Sequence, residues 1–210
     1  MNAFQSILKQ ALSDNAITLD DGTQEKLVHY LELMQAWNRV FNLTNITHPR
    51  EMVLLHIIDS LLVAPFLQGD QLLDVGTGAG LPGIPLALIH PQQHWLLLDK
   101  NNKKTRFLTQ VVAELHLANV NVVQARTEEF HPAKCFDTII SRAFSSLQMF
   151  VSSTQHLLCT NGKWLAMKGK YPDEEIRDIS SAFVVESSKK LVIKGMDVER
   201  HLISLIRNKE

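Results

Sequence analysis

Two cysteines in 210 residues, Cys135 and Cys159, match neither a disulfide framework nor a metal-ligand spacing. That scarcity leads us to expect buried structural thiols in a reducing cytoplasm. No apolar run reaches the ~18 residues that a membrane-spanning helix requires. The opening stretch Met1-Asn2-Ala3-Phe4-Gln5 lacks the basic-then-apolar pattern of a secretory leader. Neither sign of charge is in excess: 21 Lys+Arg stand against 22 Asp+Glu, a net charge of −1, so bulk charge announces no nucleic-acid partner. Internal repeats and low-complexity tracts are missing as well. What remains suits one α/β domain with room for a helical appendage and a substantial core.

Residues 1–68 read as a helical extension and 69–210 as one compact α/β unit. From Glu25 the apolar positions Leu27, Leu31, Met34 and Trp37 recur at three and four, one face of a helix. Pro49 sits at the start of a second helix over 51–62, and Pro65 limits its continuation. Beyond Gly69 strand-like runs fall at 72–75, 95–98, 120–123, 136–140, 163–167, 191–193 and 202–206. Helical stretches lie between most of them, the clearest over 102–117. Such alternation predicts a mostly parallel seven-stranded sheet covered on both faces. The last two runs lack a helix between them and predict an antiparallel pair at the sheet's end. Asn161-Gly162 reads as a tight turn feeding the fifth strand.

The most informative segment is Leu72-Leu73-Asp74-Val75-Gly76-Thr77-Gly78-Ala79-Gly80-Leu81-Pro82-Gly83, a strand running into a glycine-rich turn that opens a helix. Such turns hold nucleotide-like cofactors. The dinucleotide fingerprint would place Gly or Ala at position 81, where this chain has Leu81. Asp74 is unhelpful beside a pyrophosphate but would suit an ammonium, which points to S-adenosylmethionine. Asp99 closes the next strand about 20 residues on, where acids bind ribose hydroxyls. Arg126-Thr127-Glu128-Glu129 comes after the third strand. There Glu128, or the backbone of Thr127 and Glu128, would read an adenine; a helix-opening cap is the alternative.

The carboxyl ends of successive strands deliver Lys100, Arg126, Arg142, Lys168 and Lys170 to one rim, with Lys103, Lys104 and Arg106 beside them. A phosphate-free sulfonium cofactor needs no such rim, so it predicts a polyanion, most simply RNA. The loop Ser141-Arg142-Ala143-Phe144 lacks the Asn/Asp-Pro-Pro-aromatic segment used on exocyclic amines. Neither cysteine lies at the right edge to attack a base. That leaves an atom already nucleophilic, such as guanine N7, with Arg142 donating to O6 and Phe144 stacking on the base. No general base and no metal are then expected. His56-x-x-Asp59 shares a helix face without an evident third ligand, and Trp37 with Phe41 reads as core packing rather than an RNA platform. Methylation of a small molecule or protein is the alternative within the class, and a nicotinamide-dependent oxidoreductase the alternative outside it.

The chain resembles the glucose-inhibited division protein B family. The resemblance rests on Trp37-Asn38-Arg39-Val40-Phe41-Asn42-Leu43-Thr44, His56-Ile57-Ile58-Asp59-Ser60, the run from Asp74 to Pro85, Ser141-Arg142-Ala143-Phe144, Lys168-Gly169 and Glu199-Arg200-His201. It implies a class I methyltransferase with an N-terminal helical extension. The implied reaction is transfer from S-adenosylmethionine to N7 of one guanine in the 16S rRNA decoding-region hairpin. Cofactor contacts are implied at Gly76, Leu81, Thr127, Glu128 and Arg142, beside Asp74, Gly78 and Asp99 from the turn itself. A cytoplasmic monomer acting on rRNA or a subunit precursor is expected.

Overall fold

The computed structural model describes residues 3–142 and 144–208. Met1 and Asn2 of the opening stretch and Ala143 of the Ser141–Phe144 loop lie outside the described residues.

Two helices come first, α1 (Ala3–Asp14) and α2 (Asp21–Phe41). Asp20 caps α2 by accepting from the Thr23 N–H at 2.8 Å, and Asn42 ends it in the left-handed conformation. Leu27, Leu31 and Met34 are fully buried, as their spacing predicts. The stretch expected as one helix over 51–62 is helical throughout but not regularly α-helical. It runs as α3 (Pro49–Met52), a π-helical turn (Val53–Ile58) and α4 (Asp59–Leu61). A π turn inserts one residue into the ladder and leaves a carbonyl out of it, and nothing in the local composition signals it.

The sheet comes next: β1 (Gln71–Val75), α5 (Gly83–Ile89), β2 (His94–Asp99), α6 (Asn102–Glu114), β3 (Val120–Gln124), β4 (Phe136–Ser141), α7 (Leu147–Thr154), β5 (Leu158–Lys168), α8 (Asp173–Arg177), β6 (Phe183–Lys190) and β7 (His201–Arg207). The spatial order is β3-β2-β1-β4-β5-β7-β6. β1 to β5 pair parallel, and β7 inserts between β5 and β6, antiparallel to both. This is the mostly parallel seven-stranded sheet with a reversed last strand that the alternation predicts.

Three local expectations are corrected. The sixth strand is Phe183–Lys190 rather than 191–193. Its exposed residues are Val184, Glu186, Lys189 and Lys190, mostly polar, whereas Leu191 and Ile193 belong to the core shared with the N-terminal helices. Asn161-Gly162 does not precede β5 but lies inside it, at a register shift where Phe136 pairs with Leu158 and Thr138 with Lys163. A Cβ on Gly162 would stand 2.9 Å from the Asp137 carbonyl, so glycine permits the close approach. The cysteines are neither buried nor free. Cys135, exposed before β4, and Cys159, half-buried within β5, form a disulfide because Phe136 and Leu158 are paired in register.

One core joins α1 and α2 to the sheet, with Leu8, Leu31 and Met34 in the same cluster as Leu72, Ile84, Leu97 and Phe107. A second core lies on the opposite face around Phe150, Trp164 and Leu205. Among the described residues no helix is long and apolar enough to cross a membrane.

Candidate active site

β1 delivers the chain into a turn that takes left-handed backbone at Gly76, Gly78 and Gly80, with φ of 66°, 62° and 91°. The turn is tied to the protein at nearly every donor. Gly76 and Thr77 give their N–H groups to the Leu98 carbonyl, Gly80 and Leu81 to the Thr77 carbonyl. Gly78 donates to Asp99 Oδ2 at 2.9 Å and Gly83 to Asp74 Oδ2 at 2.8 Å. A pyrophosphate bound here would need these same donors. Their commitment to protein acceptors favours a cofactor without phosphate.

Asp74 does not face a ligand, as its position in the sequence led us to expect. It is fully buried, and its Oδ2 accepts from both the Thr77 hydroxyl at 2.7 Å and the Gly83 N–H. Its Oδ1 has no hydrogen-bond partner. Burial pushes its pKa up to about 6 against the pull of those two donors. Asp74 therefore locks the turn from beneath. Leu81 is likewise buried, its side chain packed into the core rather than lining the crevice. Tyr30 of α2, which sequence reading overlooked, is completely buried and donates its hydroxyl to the Ala79 carbonyl at 2.6 Å. Only the tertiary packing of α2 on the turn reveals it.

Above the turn opens a crevice of about 360 Å³. Leu98, Ala125, Phe144 and Met149 supply apolar walls, Gly76 the floor, and Asp99, Thr127 and Glu128 the polar rim. Thr127–Glu129 forms a single 3₁₀ turn without a side-chain cap, so the helix-cap alternative finds no hydrogen bond. Lys100, Lys104 and Arg126 also line this crevice. Lys104 sits 3.8 Å from Asp99, and Arg126 reaches Glu129 at 4.0 Å. The residues present suit a nucleoside: apolar walls with the carboxylates of Asp99 and Glu128 at the rim.

A second cavity, of about 470 Å³, is lined by Arg142, which directly follows β4. The Thr44–Ile46 loop, the π turn, the end of β5 and Arg200 surround it. Arg142 donates to the Leu55 carbonyl at 2.9 Å, within the π turn, and stands 3.5 Å from Asp59 Oδ2. Arg200 approaches Asp59 Oδ1 at 3.4 Å through Nε. Arg200 entered the sequence reading only as part of a resemblance, yet a signal existed. β7 runs against β5, with His201 paired to Lys168, so the start of β7 shares the edge where parallel strands end. His56 is buried, its Nε2 3.2 Å from the Thr44 hydroxyl. Burial and then Arg142 hold its pKa down at about 4, so it is neutral.

The rim divides into distinct parts. Arg142 and Lys168 face the second cavity, while Arg106 and Lys170 are exposed beside neither. Lys103 lies over the Phe41 ring, 5.9 Å from its centroid. Lys168 is not a free cation, because Glu175 holds it at 2.8 Å. Phe144 already packs against Phe150, the two rings tilted by 37° with centroids 5.1 Å apart. Trp37 packs against Phe41 and Phe107, as core.

Residues 23–203 match the family model described as GidB, rRNA small subunit methyltransferase G. The chain belongs to this family. It is 44% identical over 209 residues to the ribosomal RNA small subunit methyltransferase G of Escherichia coli O17:K52:H18, spanning 100% of this chain and 99% of that one. The protein of the same name from Shigella boydii serotype 18 is 45% identical over 202 residues, 96% of this chain and 98% of its own. Among solved structures, the glycopeptide N-methyltransferase MtfA complexed with S-adenosyl-L-homocysteine superposes with a TM-score of 0.63 at 13% identity. That match covers 73% of this chain and 87% of MtfA. TrmN from Thermus thermophilus gives 0.58 at 17%, covering 72% and 48%. These likenesses establish the class I methyltransferase fold. The rRNA small subunit methyltransferase G family membership makes the protein an rRNA methyltransferase.

Proposed function

We propose that the protein transfers a methyl group from S-adenosylmethionine to N7 of one guanine in 16S rRNA, acting as a cytoplasmic monomer. The observation that carries this reading is that the carboxyl edge of the parallel strands carries both a nucleoside-sized crevice and a second cavity lined by Arg142 and Arg200. Gly76, Gly78, Asp99, Thr127 and Glu128 would hold the donor, with Asp74 and Leu81 acting beneath them on the turn. Bound there, the donor supplies an electrophilic methyl group on a sulfonium.

Guanine N7 attacks as a neutral lone pair, so no side chain has to accept a proton. The chain's work is to orient the base and exclude water. Arg142, held by Leu55 and Asp59, would donate to O6 and leave N7 open. Phe144, braced by Phe150, would wall the reaction space rather than swing onto the base. Residues 1–68 would act as an extension that supplies one side of the acceptor cavity through Thr44–Ile46 and the π turn.

The direct test incubates the protein with labelled S-adenosylmethionine and 16S rRNA or small subunits, then maps the modified nucleoside. We expect a single N7-methylguanosine; label on another atom or on protein refutes the reading. Exposed Lys100, Lys103, Arg106, Arg126 and Lys170 should make RNA affinity fall with salt, by about 0.7–0.9 log units per log unit of salt for each phosphate contacted. With four or five contacts the slope is about −2.8 to −4.5. A flat response between 50 and 200 mM salt removes the polyanion from the account.

A further inference from the structure

We propose that Asp59 is a positioning residue for methyl transfer, acting through Arg142 and Arg200. The inference rests on the function proposed for the second cavity, that it receives the target nucleotide. Asp59 begins α4 directly after the π turn and is 1% exposed, so its carboxylate is cut off from solvent. A buried carboxylate of this kind must be compensated. Its two oxygens are divided between two guanidiniums, Oδ2 facing Arg142 from the end of β4 and Oδ1 facing Arg200 from the approach to β7. The distances of 3.5 and 3.4 Å make these ion pairs rather than tight hydrogen bonds.

Asp59 is also the one acid lining that cavity among the described residues. His56 brings no charge, and Lys168 is neutralised by Glu175. Without Asp59 the two arginines would face each other and the substrate uncompensated. That matters for this chemistry, because a guanine methylated at N7 becomes a cation. Arg142 keeps a second anchor in the Leu55 carbonyl; among the described residues Arg200 otherwise holds only the carbonyl of its neighbour Glu199. Loss of Asp59 should therefore fall on the acceptor side and leave the donor crevice intact.

The experiment compares wild type, Asp59→Asn, Arg200→Ala and the double variant for methylation of 16S rRNA, and titrates S-adenosylhomocysteine into each by calorimetry. Expected is a loss of tenfold or more in kcat or kcat/KM for RNA in each single variant, with S-adenosylhomocysteine affinity within twofold. The double variant should be no worse than the worse single, because both act through one unit. Activity of Asp59→Asn within twofold of wild type overturns the inference, as do losses that multiply in the double variant or a loss of donor affinity. If Asp59→Asn does not fold, Arg200→Ala decides alone: tenfold loss with donor affinity intact supports, activity within twofold overturns. A wild type inert on every 16S fragment would instead overturn the proposed function.

Discussion

Gly80→Ala is expected to destabilise the protein by about 2–5 kcal/mol and to lower its unfolding temperature by about 4–20 °C, at 2–4 °C per kcal/mol for a chain of this size. Two separate costs add. At φ 91° an alanine is strained by about 1–2 kcal/mol. Its Cβ would also stand 2.6 Å from Ile84 Cγ1 and 2.7 Å from Leu108 Cδ2, both in side chains with no solvent exposure into which to retreat. Overpacking of that kind costs about 1–3 kcal/mol. Gly78 provides the internal control. It has a similar positive φ of 62°, but a Cβ there meets nothing nearer than 3.8 Å. Gly78→Ala should therefore cost only the strain, about 1 kcal/mol, while crowding the donor crevice. Calorimetric unfolding with and without S-adenosylhomocysteine separates the two. Equal melting temperatures for both variants would mean that the packing around Gly80 is looser than described.

The second large effect is electrostatic and concerns Asp74. Its carboxyl holds a proton up to about pH 6 in the folded protein and only to 3.8 when unfolded. Between those values the folded state binds more protons, so stability falls as pH rises through the window and levels off above it. A shift of about two units corresponds to about 3 kcal/mol at 1.36 kcal/mol per unit. Asp74→Asn removes this titration. The asparagine oxygen can still accept from Thr77 and Gly83, and the amide nitrogen takes the place of an oxygen that has no partner. Relative to wild type, the variant should gain up to about 3 kcal/mol between pH 4 and pH 7.5 in urea unfolding. Parallel stability curves for the two proteins would show that Asp74 is not titrating as its burial requires.

How far the chain could be read before folding depended on how local each feature was. The glycine turn was legible because strand, glycines and helix lie within a dozen residues, each constrained by backbone sterics. Most of the rim came from one rule, that consecutive parallel strands end on the same edge. That rule failed for Arg200, since β7 is reversed and it is the start of the strand that reaches the rim. Asp74 was misread because its direction is set by Thr77 and Gly83, partners that only the closed turn supplies. The disulfide depends on the register of β4 with β5, which no spacing of two residues can reveal. β6 escaped notice because an edge strand whose exposed residues are mostly polar looks like a loop, while Leu191 and Ile193 imitate a strand by packing on α-helices. The π turn has no compositional signature at all, yet it places the carbonyl that fixes Arg142.

The bond from Tyr30 to Ala79 carries an implication for ordering of ligands. A helix outside the sheet grips the glycine loop, so, if the methyl donor sits on that loop as proposed, a macromolecule that shifts α2 is expected to change how strongly the loop holds it. By reciprocity, filling the crevice must change the affinity for that macromolecule by the same factor, whichever arrives first. Titrations run in either order would return one shared coupling constant, and Tyr30→Phe would shrink it toward unity.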